Sequence, residues 1–314
     1  IKEKWELALT LFPAIRLPQS IPADIIPGHD FFALLNEKSW QEVIEEKQLY
    51  RVLQHPWDIT RFNDWSIRQD FVMAVKNRES SSVSGTVKVT GPADLFLEKD
   101  VIAEHCYFNT TGGPVYISSG VEIMEGAMLR GPIFIGKGSV IKMGAAIYGA
   151  TSIGPGCLVG GEVKNSVIFG HSNKGHEGYL GDSVLGEWCN LGAGTTCSNI
   201  RNNASVVKVW DMKNKTFTEA GLKCGLLMGD YSRSSINSSF NTGTVVGVSA
   251  NIFQPGALLP KFIPSFSWGA TTEIKYTFDK ALADINNWMK FKNHSLSEDQ
   301  IKTLQHIFSF NETV

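Results

Sequence analysis

Broken into sixes, Val115 to Gly160 reads VYISSG VEIMEG AMLRGP IFIGKG SVIKMG AAIYGA TSIGPG CLVG. The third residue of each block is apolar without a slip: Ile117, Ile123, Leu129, Ile135, Ile141, Ile147, Ile153 and Val159. Four residues after each comes a second, mostly small residue: Val121, Ala127, Ile133, Ser139, Ala145, Thr151, Cys157. On an α-helix a six-residue step turns about 600°, so successive blocks would face three directions and no amphipathic stripe would form. Thirteen glycines between Gly112 and Gly161 would also destabilise a helix. A simple strand alternates by two and has no need of a turn residue every six.

A β-solenoid accounts for the pattern. Each block supplies one short strand and a corner, the two marked residues point inward, and three blocks close a triangular coil of about 18 residues. A coil buries its flat faces only against its neighbours, so several must stack. The phase then shifts. Leu185, Leu191 and Cys197 make a second frame; Leu222, Met228, Phe240, Val246, Ile252 and Leu258 make a third, with Ser234 as its lapse. Insertions are expected near 165–180 and 199–221, and His176 falls in the first of them.

The flanks carry no such repeat. Residues 39–53, SWQEVIEEKQLYRVL, open with a capping-box pattern, Ser39 with Glu42, and predict a helix. HPWDITRFNDW (55–65) is aromatic and reads as turn-rich, and ESSSVSG (79–85) reads as a linker. Asp58, Asp64 and Asp70 are read as solvated or capping carboxylates rather than a metal site. Phe278, Ala281, Leu282, Ile285, Trp288 and Met289 follow helical spacing. Ser297 with Gln300 then opens a second helix. These two helices are expected to cap the open end of the coil.

Composition narrows the function classes. The chain has 314 residues, 43% hydrophobic and 19% charged, with a formal charge of −2. That is a globular protein with a real core, without the basic footprint of a nucleic-acid binder or a polybasic membrane patch. No apolar run reaches spanning length, and no secretory pattern stands at the start. Cys106, Cys157, Cys189, Cys197 and Cys224 form no CxxC pair and read as reduced, inert thiols of a cytoplasmic protein. The first residue is Ile1, and IKEKWE reads like the middle of an element, so a natural N-terminus upstream is expected.

Three blocks carry a resemblance: GGEVKNSVIFG (160–170), GHEGYLGD (175–182) and NLGAGTTCSN (190–199). In letters, order and gaps they resemble the acetyltransferase half of the bifunctional N-acetylglucosamine-1-phosphate uridylyltransferase/glucosamine-1-phosphate acetyltransferase family. The whole chain looks closest to a branch of these GlmU-like proteins described as sugar nucleotidyltransferases. The resemblance covers about residues 92–272. It implies a left-handed parallel β-helix of the hexapeptide-repeat acyltransferase type, assembled as a homotrimer. It also implies a division into residues 1–91, a remnant of a nucleotidyltransferase-like domain; 92–272, the β-helix; and 273–314, capping helices.

Carried over residue by residue, the resemblance makes His176 the catalytic base. Lys164, Tyr179 and Asn190 become sugar-phosphate contacts, and Ala193 and Asn199 lie near the acyl-CoA. Acetyl-CoA is then a co-substrate, with Mg2+ required only if a nucleotidyltransferase activity exists. The chemistry suits these residue types. Acetyl transfer needs an unprotonated amine, a histidine titrates near pH 6.5, and a placed base contributes about 10²- to 10⁴-fold. Backbone amides of a Gly-Ala-Gly corner can polarise a thioester carbonyl. There is one departure. The family arginine one coil before the lysine falls on Ala146, unless Arg130, Arg201 or Lys208 replaces it.

Other readings stay open. Nucleotide transfer needs a Gly-rich phosphate loop, whereas residues 1–84 hold one glycine, Gly28. His171 and His176 form an H-x4-H pair like that of hexapeptide-repeat carbonic anhydrases. The third ligand there would fall near Ile135, so no metal is expected. A non-catalytic oligomeric scaffold is the remaining alternative.

Overall fold

A computed structural model describes residues 2–18, 20–253, 258–270, 274 and 276–311. Parallel strands of two or three residues wind through three faces, each face stacking one strand per coil. The first face runs from Leu95–Leu97 through Val115–Ile117 to Phe262–Ile263. The second runs from Ile102–Ala103 to Asn251–Ile252, and the third from Lys88–Thr90 to Ser239–Phe240. This is the β-helix that the hexads require. Ile117, Ile135 and Ile153 stand in line on the first face, and Ile123, Ile141 and Val159 on the second. Both inward sets of each hexad are almost fully buried and form one continuous core. Burying a Val, Leu or Ile contributes roughly 1.5–3 kcal/mol, which each coil gains only from the coils above and below. Pairing starts with Lys88–Thr90 against Tyr107–Asn109, a few residues before the expected start at 92. The expected boundary at 272/273 lies outside the described residues.

The first phase shift is not an insertion. Leu129 pairs with Ile147, 18 residues on, but Ile147 pairs with Val163, only 16 on. Ile153 pairs with Ile168 and Val159 with Lys174, each 15 on. The coil has lost residues at its corners, beginning at Gly160–Gly161, and then continues at 17 per turn, as in Val163 with Leu180. His176 therefore sits on a corner of ordinary length, not in a loop leaving the coil. The second shift is an excursion, as expected. Leu185 pairs with Met228, and between them Lys208–Asp211 and Thr216–Glu219 form an antiparallel hairpin. Leu222 and Leu258, read as inward, are exposed.

One corner explains how the C-terminal helices are held. Between the first and second faces every coil turns through a residue with positive φ. Gly120, Gly138 and Gly156 are followed by His171, Trp188, Tyr231, Ser249 and Phe266 at φ between 56° and 66°, or within a degree or so of that range. Each donates its N–H to the coil before, as in Trp188 to Gly170 and Tyr231 to Glu187. A side chain in this conformation costs about 1–2 kcal/mol relative to glycine. Here the aromatic residues point outward and seat the helices Phe278–Lys290 and Glu298–Asn311: Trp188, Tyr231 and Phe266 pack with Ala281, Ile285, Met289 and Leu304. Both helices form where the sequence places them. They lie along this edge rather than across the open end, and Lys292 Nζ donates to the Gly156 and His171 carbonyls and to Asn173 Oδ1.

On the N-terminal side, Ser39 and Glu42 do form a capping box, but its helix is short, Trp40–Ile44, and gives way to a strand, Tyr50–Val52, paired with Ile25–Pro27. The stretch read as turn-rich opens an 18-residue helix, Asp58–Val75. It docks on the first face by polar contacts. Asn63 Nδ2 donates to the Ala150 carbonyl at 2.6 Å, Ser152 Oγ donates to Asn63 Oδ1 at 2.7 Å, and Arg61 reaches the Ala220 carbonyl at 2.7 Å. Asp58 accepts from the Gln54 and His55 N–H groups and from Arg61, and Asp64 pairs with Arg68. Gly28 is packed against Trp65 and Gln69.

Candidate active site

The third face brings together Lys164, Tyr179 and Asn199. Its inward residues are Leu129, Ile147, Val163 and Leu180, so the residues flanking each of them face outward. Two outward columns result. One stacks Arg130, Tyr148, Lys164 and Gly181; the other stacks Met128, Ala146, Glu162 and Tyr179. The shortened corner therefore corrects the reading of Ala146. It lies in line with Glu162, and the residue one coil before Lys164 is Tyr148, with Arg130 one coil further in the same column.

Lys164 Nζ lies over the Tyr148 ring, 5.4 Å from its centroid. Tyr148 donates to Glu162 Oε1 at 2.5 Å, and that bond, with some burial, raises its phenol pKa. The Tyr179 phenol lies across the strand over Gly181: a Cβ on Gly181 would stand 2.2 Å from the Tyr179 oxygen. Burial pushes the Tyr179 hydroxyl up to about 12, helped by Asp182, Tyr148 and Glu162, while a hydrogen bond from Asn199 works the other way. Asn199 is buried and donates to Asp182, whose other oxygen accepts from Asn165 at 2.6 Å. The tyrosine is thus a neutral hydroxyl between a lysine and a fixed amide. Tyr148, Glu162 and Asp182 belong to this arrangement. They were missed because their roles follow from the 16- and 17-residue ladder steps rather than from the hexad count.

His176 stands exposed on the turn from the second face to the third, three residues before Tyr179. What holds that turn is Lys174. This lysine occupies an inward position in line with Val159 and is 1% exposed. Its Nζ donates to the Gly160 carbonyl at 3.1 Å and to the His176 carbonyl. Burial brings its pKa down to about 8. A Cβ on Gly161 would meet the His176 carbonyl at 2.7 Å and Lys174 Nζ at 2.9 Å, so the two-glycine corner makes room for this clamp. Ala193 occupies the equivalent turn on the next coil, its carbonyl accepting from Asn237 N–H at 2.7 Å.

Asn190 is not part of this cluster. It lies on the second face, in line with Asn173 and Arg233, and accepts from Asn173 Nδ2 at 3.3 Å. His171 and His176 are on different edges of the triangle. The former stacks on Trp188 at 4.3 Å and meets His294 at 4.8 Å, and its pKa is lowered by burial and then by the His294 and Lys292 charges. Among the described residues no three His, Cys, Asp or Glu side chains are grouped to hold a metal. Of the other basic residues, Arg201 donates to the Val206 carbonyl and Lys208 lies in the excursion's hairpin, leaving Arg130 in the Lys164 column. No described helix is long and apolar enough to cross a membrane.

The class that this fold defines is the hexapeptide-repeat β-helix. Within it the chain is GlmU-like, as its relatives show. It is 32% identical over 211 residues to a Bifunctional protein GlmU of Methanococcus maripaludis, covering 67% of this chain and 44% of that protein. A bifunctional sugar-1-phosphate nucleotidylyltransferase/acetyltransferase of Sulfurisphaera tokodaii is 40% identical over 98 residues, 31% of this chain and 24% of that protein. A GlmU of Methanocaldococcus jannaschii is 41% identical over 86 residues, 27% and 21% of the two chains. The chain thus spans less than half the length of each of these relatives. A solved structure of the polySia-specific acetyltransferase NeuO aligns at TM-score 0.36 and 12% identity over 66% of this chain and 96% of that one. No family model matches the chain.

Proposed function

We propose that this protein is an acyl-CoA-dependent N-acetyltransferase acting on an amino-sugar phosphate such as glucosamine-1-phosphate, working as a cytoplasmic homotrimer. The observation that carries the reading is the third-face cluster. Lys164 and the neutral Tyr179 hydroxyl stand beside a turn whose exposed histidine is held from below by a buried lysine. Lys164, with Arg130 in its column, offers charge for a sugar phosphate, and Tyr179 offers a hydrogen bond to its hydroxyls. His176 would take the proton that the attacking amine gives up as its nitrogen bonds to the thioester carbonyl carbon. The carbon–sulfur bond then breaks, and the departing thiolate receives the proton back from the imidazole. The Gly192–Gly194 turn, one coil on, is where the acyl-CoA would lie along the edge. One relative, named as a bifunctional sugar-1-phosphate nucleotidylyltransferase/acetyltransferase, supports the same assignment.

Thiol release from acetyl-CoA with glucosamine-1-phosphate tests this. Release should require the sugar and fall about 10²- to 10⁴-fold in His176→Ala. No release with this or related amino-sugar phosphates would sink the mechanism.

A further inference from the structure

On the second face, Asn190, Arg233 and Asn251 stand in line, and the helix Phe278–Lys290 lies over them. Between face and helix is a cavity of about 410 Å³, bordered by Asn190, Arg233, Phe253, Asp284, Asn287 and Trp288. Arg233 is only 7% exposed, and its guanidinium lies 5.5 Å from the Trp288 ring. Its Nε and Nη2 are buried and make no hydrogen bond among the described residues. These two nitrogens form a single edge of the guanidinium, the edge that grips an oxyanion with two parallel hydrogen bonds. Neither nitrogen has a carboxylate partner among the described residues, and Asp284 is already engaged by the Tyr276 hydroxyl. Removing a charge from water without a partner is strongly unfavourable, so a buried arginine with an unpaired edge points to an occupant.

We propose that this cavity binds a hydroxylated small molecule bearing one oxyanion, a phosphate monoester or a carboxylate, seated on the Nε/Nη2 edge of Arg233. The rest of the lining fits such a ligand. Asn190, Asn251 and Asn287 offer both donors and acceptors for hydroxyl groups, Asp284 accepts from them, and Trp288 with Phe253 presents flat apolar surface to a sugar ring. The volume lies within the ordinary range for small-molecule sites. The cavity opens on a different face from Lys164 and does not rest on the acetyltransferase reading. Burial lowers the pKa of Arg233, with the charges of Tyr276 and Asp284 opposing; a bound oxyanion would oppose it further.

Calorimetric titration of the full chain with glucose 1-phosphate, glucuronate and glucose decides the matter. A Lys164→Met chain is titrated in parallel, to separate this cavity from the third face. At least one of the two anionic sugars should bind in both backgrounds while glucose does not, and the one that binds identifies the oxyanion. Arg233→Met, which keeps the buried stem, should weaken that binding about tenfold or more, and Arg233→Lys should recover only a part, because one ammonium cannot supply the two-nitrogen edge. The proposal is overturned if neither anionic sugar binds to the Lys164→Met chain, or if a folded Arg233→Met chain binds as tightly as its parent. Should Arg233→Met not fold, Arg233→Lys alone decides, undiminished affinity overturning the proposal.

Discussion

Ser249 shows how much a single turn residue can hold in reserve. It has φ of 56°, is 1% exposed, and its Oγ is buried without a partner among the described residues. Glycine stands at the same turn in earlier coils. Ser249→Gly removes both the strained Cβ and the orphaned hydroxyl, and should stabilise the protein by about 1–2 kcal/mol in chemical denaturation. A loss of stability would show that the hydroxyl is satisfied after all. Lys174 makes the opposite case, a polar group kept inside because it has work at a turn. Its folded pKa of about 8 lies below the ordinary 10.5. Above pH 10.5 the amine is neutral folded or unfolded, and the full stability is present. As pH falls towards 8 the unfolded chain takes up the proton first, and stability is lost. Relative to Lys174→Met, the wild type should therefore gain on the order of 3 kcal/mol between pH 8 and 10.5. Denaturation curves across that window check it, a flat difference contradicting the burial of the amine. Neither residue is conspicuous in the sequence: Ser249 looks like any loop serine, and Lys174 falls where the lost corner residues had disguised the inward position.

Among the elements, the helix Asp58–Val75 is the one that the sequence hid. It holds itself to the solenoid through Asn63, Arg61 and Arg68 on backbone carbonyls of Ala150, Ala220 and Gly112, with only scattered apolar contacts from Ile59 and Phe71. Hydropathy spacing therefore had little to detect, while Pro56, Asn63 and the aromatics suggested turns. Asn63→Ala would leave the Ala150 carbonyl buried and unpaired and the half-buried Ser152 hydroxyl without its acceptor. It should destabilise by about 1–3 kcal/mol and loosen this helix before the coils, seen as faster amide exchange over residues 58–75 than in the solenoid. Uniform loosening of helix and coils would mean that the docking is cooperative with the core. The C-terminal helices, by contrast, were legible, because Phe278–Lys290 packs by an apolar stripe at helical spacing and Ser297 with Gln300 caps the next helix. Their destination was not. A stripe says that a face is buried but not against what, and the receiving surface is made of Trp188, Tyr231 and Phe266, whose outward aim depends on a turn conformation.

At the scale of the whole molecule, the sequence by itself determined the solenoid, because inward positions of a coil recur in the chain at the interval at which they recur in space. Ile117 to Val159 announce both the strands and their register. Tertiary structure alone decided what stands beside what once coils lose residues. It set Tyr148 rather than Ala146 next to Lys164, turned Asn190 to another face, and parted His171 from His176. It also closed a helix over Arg233, leaving a buried, unpaired guanidinium edge at the border of a cavity. The reason is geometric. Hydrophobic period records which residues point inward, whereas outward neighbours depend on the summed lengths of every corner between them, and one shortened corner moves them all.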